Sequence, residues 1–90
     1  MGIALIKLKI MPTSPEIDLE EIKTKAREII EKNEGKISEF QEEPIAFGLK
    51  AIIVGFELNE KKELESIEEA LKKIESINSV QVIDMRRAFG

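Results

Sequence analysis

Two hydrophobic spacings alternate along this chain, and their order constrains its fold more than any other feature. From Ile3 to Met11, apolar residues occupy every second position, as in a strand with one buried face. The apolar residues of the next segment follow the spacing of a helix. Residues 36–58 then alternate again and are predicted to form two antiparallel strands. A second helix is predicted from about Lys62 to Ile77, and a last strand from Val80 to about Arg86. The predicted element order is therefore β-α-β-β-α-β.

The first helix has clear signals at both ends. Asp18 is a favourable N-cap residue, and Glu21 three residues later completes a capping box. Asn33 and Gly35 are typical residues for a helix C-terminus. We therefore expect the helix to lie between these two pairs of residues.

The two middle strands carry bulge, edge and turn signals. Ile37 and Phe40 stand at an odd and an even position, so a regular strand would point them to opposite faces of the sheet. A bulge that brings both to the same face is therefore predicted in the first of these strands. Pro44 lacks an N–H and favours an edge position. Phe47 and Gly48 are expected near the connection between the strands.

The element order predicts an α+β fold of the ferredoxin-like type, with a four-stranded antiparallel sheet and two helices on one face. No linker divides the chain, so residues 1–90 are expected to form a single domain. Right-handed crossovers are expected to place the first and last strands side by side in the middle of the sheet. The face without helices, around Lys7 and Lys9, is expected to expose apolar residues, which form either a patch of the kind that often binds partners or the ordinary scatter of apolar residues on a protein surface. The apolar residues predicted there are Leu5, Met11, Leu49, Ile53, Ile83 and Met85.

The absence of certain residue types and the net charge exclude several classes of function. The chain contains neither cysteine nor histidine, which excludes a disulfide, a Cys/His zinc site and a Ser-His-Asp triad. A net charge of −4 argues against a dedicated nucleic-acid binder. No Gly-rich phosphate loop occurs, so we expect no nucleotide on this chain itself. We therefore predict no catalytic, cofactor-binding or metal-binding residue, and a protein that is not an enzyme.

Other sequence features bear on location and on families that share this topology. No segment approaches the ~20 apolar residues that span a membrane, and the first residues lack the pattern of a signal peptide, so a cytoplasmic protein is expected. RNA-recognition domains need basic and aromatic residues interleaved on the central strands, which this chain lacks. Acylphosphatases need a phosphate-binding loop with an arginine, whereas residues 12–15 read Pro-Thr-Ser-Pro.

Two segments are not explained by packing. Residues 44–50 read Pro-Ile-Ala-Phe-Gly-Leu-Lys, and residues 80–90 end in Arg-Arg-Ala-Phe-Gly. Arginine and phenylalanine are typical anchors of protein interfaces, although Phe89 folding back onto the core is the alternative. Asp84, in the last strand, is expected either to cap the turn or to pair with Arg86 or Arg87.

In these segments the chain resembles the archaeal elongation factor 1-beta family and the C-terminal exchange domain of its eukaryotic members. The resemblance rests on Pro-Ile-x-Phe-Gly-x-Lys at residues 44–50 and Val-Gln-x-x-Asp at residues 80–84, together with the opening strand and the acidic first helix. It implies a ferredoxin-like translation factor that binds the GTPase elongation factor 1-alpha. It also implies exchange of GDP for GTP through a destabilised nucleotide and magnesium site, without covalent chemistry.

The resemblance further implies which residues contact the partner. Phe47 matches a phenylalanine that contributes to this contact in eukaryotic members. A lysine next to the C-terminus lies near the GTPase magnesium site in those proteins, whereas this chain reads Arg-Ala-Phe-Gly from position 87, so we hypothesise that an arginine supplies the cation. The predicted contact residues are Phe47, Gly48, Lys50, Arg86, Arg87 and Phe89.

A second hypothesis keeps the same fold but a different role. The chain would be a ferredoxin-like regulatory or oligomerisation module without exchange activity, and it would pair with itself through the open sheet face. A tight dimer that buries this face would favour the second hypothesis.

Overall fold

The computed structural model describes residues 2–89, with Phe89 described only through its main chain. Its elements follow the predicted order and form one antiparallel sheet with the strand order β2-β3-β1-β4. Both helices pack against one face of this sheet, which confirms the ferredoxin-like α+β class. The elements are β1 (Ile3–Pro12), α1 (Leu19–Lys32), β2 (Lys36–Pro44), β3 (Lys50–Asn59), α2 (Leu64–Lys72) and β4 (Ile77–Phe89).

The arrangement of the central strands corrects one prediction. β1 and β4 are neighbours as expected, but the middle pair of the sheet is β1 and β3, and β4 lies at an edge. The α1 crossover leaves room for one strand between β1 and β2, and β3 occupies that position because a tight turn returns it beside β2. β1 then pairs with β3 on one side and with β4 on the other.

The core lies between the sheet and the helices. Alternate residues of β1 and β3 point to it, and each helix contributes one apolar stripe. Each fully buried aliphatic or aromatic side chain contributes about 1.5–3 kcal/mol relative to an exposed one. The largest of the fully buried side chains are Leu8, Ile10, Ile22, Ile30, Ile52, Val54, Phe56, Ile67 and Leu71.

Helix α1 begins as the sequence indicates. The Glu20 N–H donates a 3.0 Å hydrogen bond to Oδ1 of Asp18, which confirms Asp18 as the N-cap. The helix ends at the C-cap Asn33, and the next residue, Glu34, adopts a φ of 67°. Glu34 thus holds the left-handed position where glycine is the usual residue. Gly35, one residue later, is not the residue in this conformation.

The boundary between α2 and β4 differs from the prediction. α2 is shorter than predicted and ends at Lys72, whereas β4 begins at Ile77 and extends to Phe89. The Thr13 N–H donates a 2.9 Å hydrogen bond to the carbonyl of Ser76, which ties the turn after α2 to the end of β1. Because of this contact, Ile77 joins the sheet opposite Pro12 instead of extending the helix.

A charged bridge joins α1 to the edge strand β2. The Lys23 ammonium donates to Glu42 at 2.8 Å and to Glu20 at 2.9 Å. The hydrogen bond with Glu42, followed by that with Glu20, raises the pKa of Lys23, and the Lys23 ammonium lowers the pKa of Glu42. The guanidinium of Arg27 lies 5.3 Å from the centroid of the Phe40 ring and forms a second contact between α1 and β2.

Candidate functional site

The connection between β2 and β3 is a tight turn that presents one aromatic side chain. The Leu49 N–H donates to the Ala46 carbonyl at 2.9 Å, and the Ile45 N–H donates to the Leu49 carbonyl at 2.8 Å. The two residues inside the turn, Phe47 and Gly48, have φ values of 54° and 81°. Positive φ at both central positions is the signature of a type I′ hairpin turn. The Phe47 side chain is 96% exposed.

Phe47 occupies a conformation that its side chain disfavours. The left-handed region costs a residue with a Cβ roughly 1–2 kcal/mol, and asparagine or glycine is the usual residue at this place in the turn. A fully exposed ring gains no packing within the chain that would offset this cost. The turn therefore holds an aromatic ring in water at the tip of a short loop, and aromatic side chains are enriched among the anchors of protein interfaces.

The loop between β1 and α1 supports this turn. A Cβ built on Gly48 would lie 3.7 Å from Cβ of Pro15, so the two loops are in close contact. A shallow cleft of about 310 Å³ lies between them, and Lys50 is exposed at its rim, opposite Pro44. No sequence feature near Pro15 indicates this packing.

The arginines predicted at the other contact lie near the end of β4. Arg86 pairs with Leu5 in the register of β1, and Arg87 pairs with Ala4, so the two arginines point to opposite faces of the sheet. Nε of Arg86 lies 3.1 Å from Oδ2 of Asp84, which confirms the predicted pairing of Asp84 with an arginine.

Arg87 is held on the helix side of the sheet. Its Nε donates to Oε2 of Glu60 at 2.6 Å, and Glu60 follows directly after β3. The side chain of Phe89, the last predicted contact residue, lies outside the described part of the chain. Arg86 is therefore the more exposed of the two cations, with 75% of its side chain accessible against 61% for Arg87.

The structure separates the predicted contact residues into two groups. Phe47, Gly48 and Lys50 lie at the hairpin end of the sheet, whereas Arg86 lies level with Glu57 at the far end of β3. At about 3.3 Å per residue, the stretch between Gly48 and Glu57 measures about 30 Å. One small contact cannot include both groups, so a partner that contacts both must extend along the sheet.

The open face between these groups is mainly charged, and the predicted apolar patch is wrong in two respects. Ile53 lies on this face but is only 6% exposed. Met85 pairs with the core residue Ile6 and lies on the helix side, because a register shift opposite Lys7 changes the parity of β4. Of the predicted patch, Leu5 and Ile83 are 40% and 45% exposed.

The described residues also limit the kind of site that the chain can form. Within residues 2–89, no three Asp or Glu side chains are placed so that they could hold a metal ion. In the same part of the chain, neither helix has the length and apolar character needed to cross a membrane.

Comparisons of the sequence with known proteins all indicate the same family. The model of the EF-1 guanine nucleotide exchange domain matches residues 5–88. Proteins named elongation factor 1-beta are similar along nearly their whole length. The one from Methanocaldococcus jannaschii is 42% identical, over 98% of this chain and 100% of its own. The one from Methanosarcina barkeri is 42% identical over 97% and 99%, and one from Methanococcus maripaludis is 38% identical over 94% and 97%.

Among solved structures, the ACT domain from the GTP pyrophosphokinase of Chlorobium tepidum is similar in fold. Its TM-score is 0.64, and the match covers 88% of this chain and 96% of that one. The sequence identity is 13%, so this likeness concerns the arrangement of strands and helices alone.

Proposed function

The chain belongs to the EF-1 guanine nucleotide exchange domain family, and from this membership we propose that it binds elongation factor 1-alpha and promotes the exchange of GDP for GTP. The family match over residues 5–88 carries the proposal, because it includes both the hairpin turn and the arginines of β4. The role shared with the family is nucleotide exchange in translation elongation.

The proposed mechanism uses binding energy and no covalent chemistry. A translational GTPase holds GDP through a phosphate loop and a bound Mg²⁺. An exchange factor that binds the nucleotide-free state more tightly weakens nucleotide binding by the same factor, because coupling between two sites is reciprocal. A thousandfold weakening requires about 4 kcal/mol of differential contact energy.

Phe47 is proposed as the apolar part of that contact. Its ring is 96% exposed, so nearly all of its surface is available for burial against a partner. Full burial of such a side chain contributes about 1.5–3 kcal/mol. Two backbone hydrogen bonds close the turn, which limits the backbone freedom that binding would otherwise remove.

An arginine near the end of β4 is proposed as the polar part. Arg86 or Arg87 would place a guanidinium where the GTPase holds its magnesium ion, and a second cation there opposes Mg²⁺ binding. Arg86 has the more exposed side chain, and its contact with Asp84 is a surface ion pair of the kind that contributes about 0–1 kcal/mol. The contact uses Nε alone, so the terminal nitrogens of Arg86 can face a partner while the pair with Asp84 stays in place.

The direct test measures release of a fluorescent GDP from elongation factor 1-alpha of the same source. We expect the release rate to rise with the concentration of this protein and to reach a plateau. Unchanged release at the highest concentration would contradict the proposal. Sedimentation of the isolated protein separates it from the alternative, since a regulatory or oligomerisation module would form a stable dimer and leave GDP release unchanged.

A further inference from the structure

A notch interrupts the open face of the sheet at Gly55. This residue lies on the central strand β3, directly opposite Lys7 on β1 and Glu39 on β2. A Cβ at position 55 would lie 3.3 Å from Cγ of Glu39 and 3.3 Å from Oγ of Ser38, so a side chain there would fill the space between its neighbours. The resulting cleft measures about 200 Å³, and Asp84 and Arg86 line it from the side of β4.

The polar groups around this notch are unequally satisfied. The carboxylate of Glu39 accepts a 2.8 Å hydrogen bond from Gln41, and that of Asp84 lies 3.1 Å from Nε of Arg86. In residues 2–89, by contrast, neither the Lys7 ammonium nor the Ser38 hydroxyl has a hydrogen-bonding or ionic partner in the protein. The acids are thus engaged within the chain, whereas donors remain available.

We infer that the Gly55 notch receives a carboxylate side chain of the partner GTPase, bound by Lys7 with Ser38 as a second donor. This inference rests on the proposed function, because it assigns the chemistry of one contact within that complex. A carboxylate accepts several hydrogen bonds and forms charge-assisted contacts with an ammonium, which are about twice as strong as neutral ones. The absent side chain of Gly55 provides the space for it.

The position of the notch agrees with a contact of this kind. Lys7 lies between the two ends of the sheet that carry Phe47 and Arg86, so a partner that contacts both ends passes over it. A charged pair at such a place mainly determines specificity and the rate of association, and it is sensitive to salt. Lys9 lies on the same face but is already 4.0 Å from Glu43, which makes it a natural control.

The experiment measures the half-saturating concentration of this protein in the GDP-release assay. We expect Lys7→Met to raise that concentration about tenfold, which corresponds to about 1.4 kcal/mol, with the plateau rate near that of the wild type. We expect its dependence on NaCl, between about 0.05 and 0.5 M, to be weaker than that of the wild type. Lys9→Met should behave as the wild type in both respects.

A second variant tests the space itself. Gly55→Ala should raise the half-saturating concentration at every salt concentration, and circular dichroism with thermal unfolding shows that the variant is folded. Wild-type behaviour of Lys7→Met and Lys7→Glu would overturn the inference while leaving the proposed function intact. An effect of Gly55→Ala without an effect of Lys7→Met would also overturn it, because an uncharged group would then occupy the notch. If the wild-type protein failed to accelerate the release of GDP from the GTPase, that result would instead contradict the proposed function.

Discussion

Replacing Phe47 by asparagine should make the protein more stable and a poorer exchange factor. Phe47 has a φ of 54°, in a region that costs residues with a Cβ about 1–2 kcal/mol but that asparagine tolerates well. The ring is 96% exposed, so its removal forfeits almost no packing in the isolated protein. We therefore expect the free energy of unfolding to increase by about 1 kcal/mol, and the melting temperature to rise by about 4–8 °C.

Exchange should change in the opposite direction. If the ring is buried by the partner, its loss removes about 1.5–3 kcal/mol of contact energy. The half-saturating concentration in the GDP-release assay should then increase about 10- to 100-fold. Thermal unfolding and stopped-flow release of a fluorescent GDP, measured on the same preparation, test both effects together.

Alanine at the same position separates the two causes. Phe47→Ala removes the ring but keeps a Cβ in the left-handed region, so it should impair exchange as asparagine does while leaving stability near that of the wild type. A loss of stability in Phe47→Asn would refute the argument from backbone conformation. Normal exchange by both variants would refute the assignment of Phe47 as an anchor.

Three further predictions follow from particular contacts. Besides Phe47, Glu34 is the other non-glycine residue with a positive φ in residues 2–89, and Glu34→Gly would relieve that backbone strain. The variant also loses the ion pair with Lys62, so we expect the free energy of unfolding to rise by up to about 1 kcal/mol in thermal unfolding, with unchanged exchange. Arg86→Met should lower the plateau rate of GDP release while changing stability by less than about 0.5 kcal/mol, and an unchanged plateau would exclude Arg86 as the cation. The pKa of Glu42 is lowered from 4.5 by Lys23, so its stabilising effect is present above that pH and is lost as pH falls through the lower folded value. Acid titration of unfolding should therefore show that the stability difference between wild type and Lys23→Met shrinks below pH 4.5, and a constant difference would refute this pairing.

Local sequence signals predicted much of the fold because they reflect local physics. The Asp18 cap depends only on its own helix, and the opposite parity of Ile37 and Phe40 predicted the register shift that the structure shows between Ile37 and Glu39. The element order, together with right-handed crossovers, was enough to place both helices on one face.

Features that depend on pairing between distant segments were not predictable in the same way. The early start of β4 follows from the hydrogen bond between Thr13 and Ser76, which links residues far apart in sequence. The orientation of Met85 depends on a register shift against β1, and no residue of β4 is a glycine or proline that would have marked it.

The candidate site also has parts that the sequence could predict and parts that depend on the pairing of distant strands. The resemblance implied Phe47, and the absence of the family's terminal lysine led to the hypothesis that Arg86 or Arg87 replaces it, but the distance between these residues became apparent only from the strand register. Gly55 carries a sequence signal for the notch, since a glycine inside a strand of apolar residues often marks a close approach or an open space. Lys7 gave none, because a lysine on an alternating strand is the ordinary residue for a solvated face.

The separation of the two groups has a consequence for the proposed mechanism. β1 pairs with β3 on one side and with β4 on the other, and this sheet packs on the buried core, so the fold sets the distance from the Phe47 turn to Arg86. Once one end is bound, the other is confined to a small volume, and the second contact forms at a high effective concentration. Little additional conformational entropy is lost at that step, because the sheet is already ordered. A small domain with two such anchors can therefore direct most of its contact energy to the nucleotide-free form of its partner, provided that only this form presents both contact areas at the matching distance.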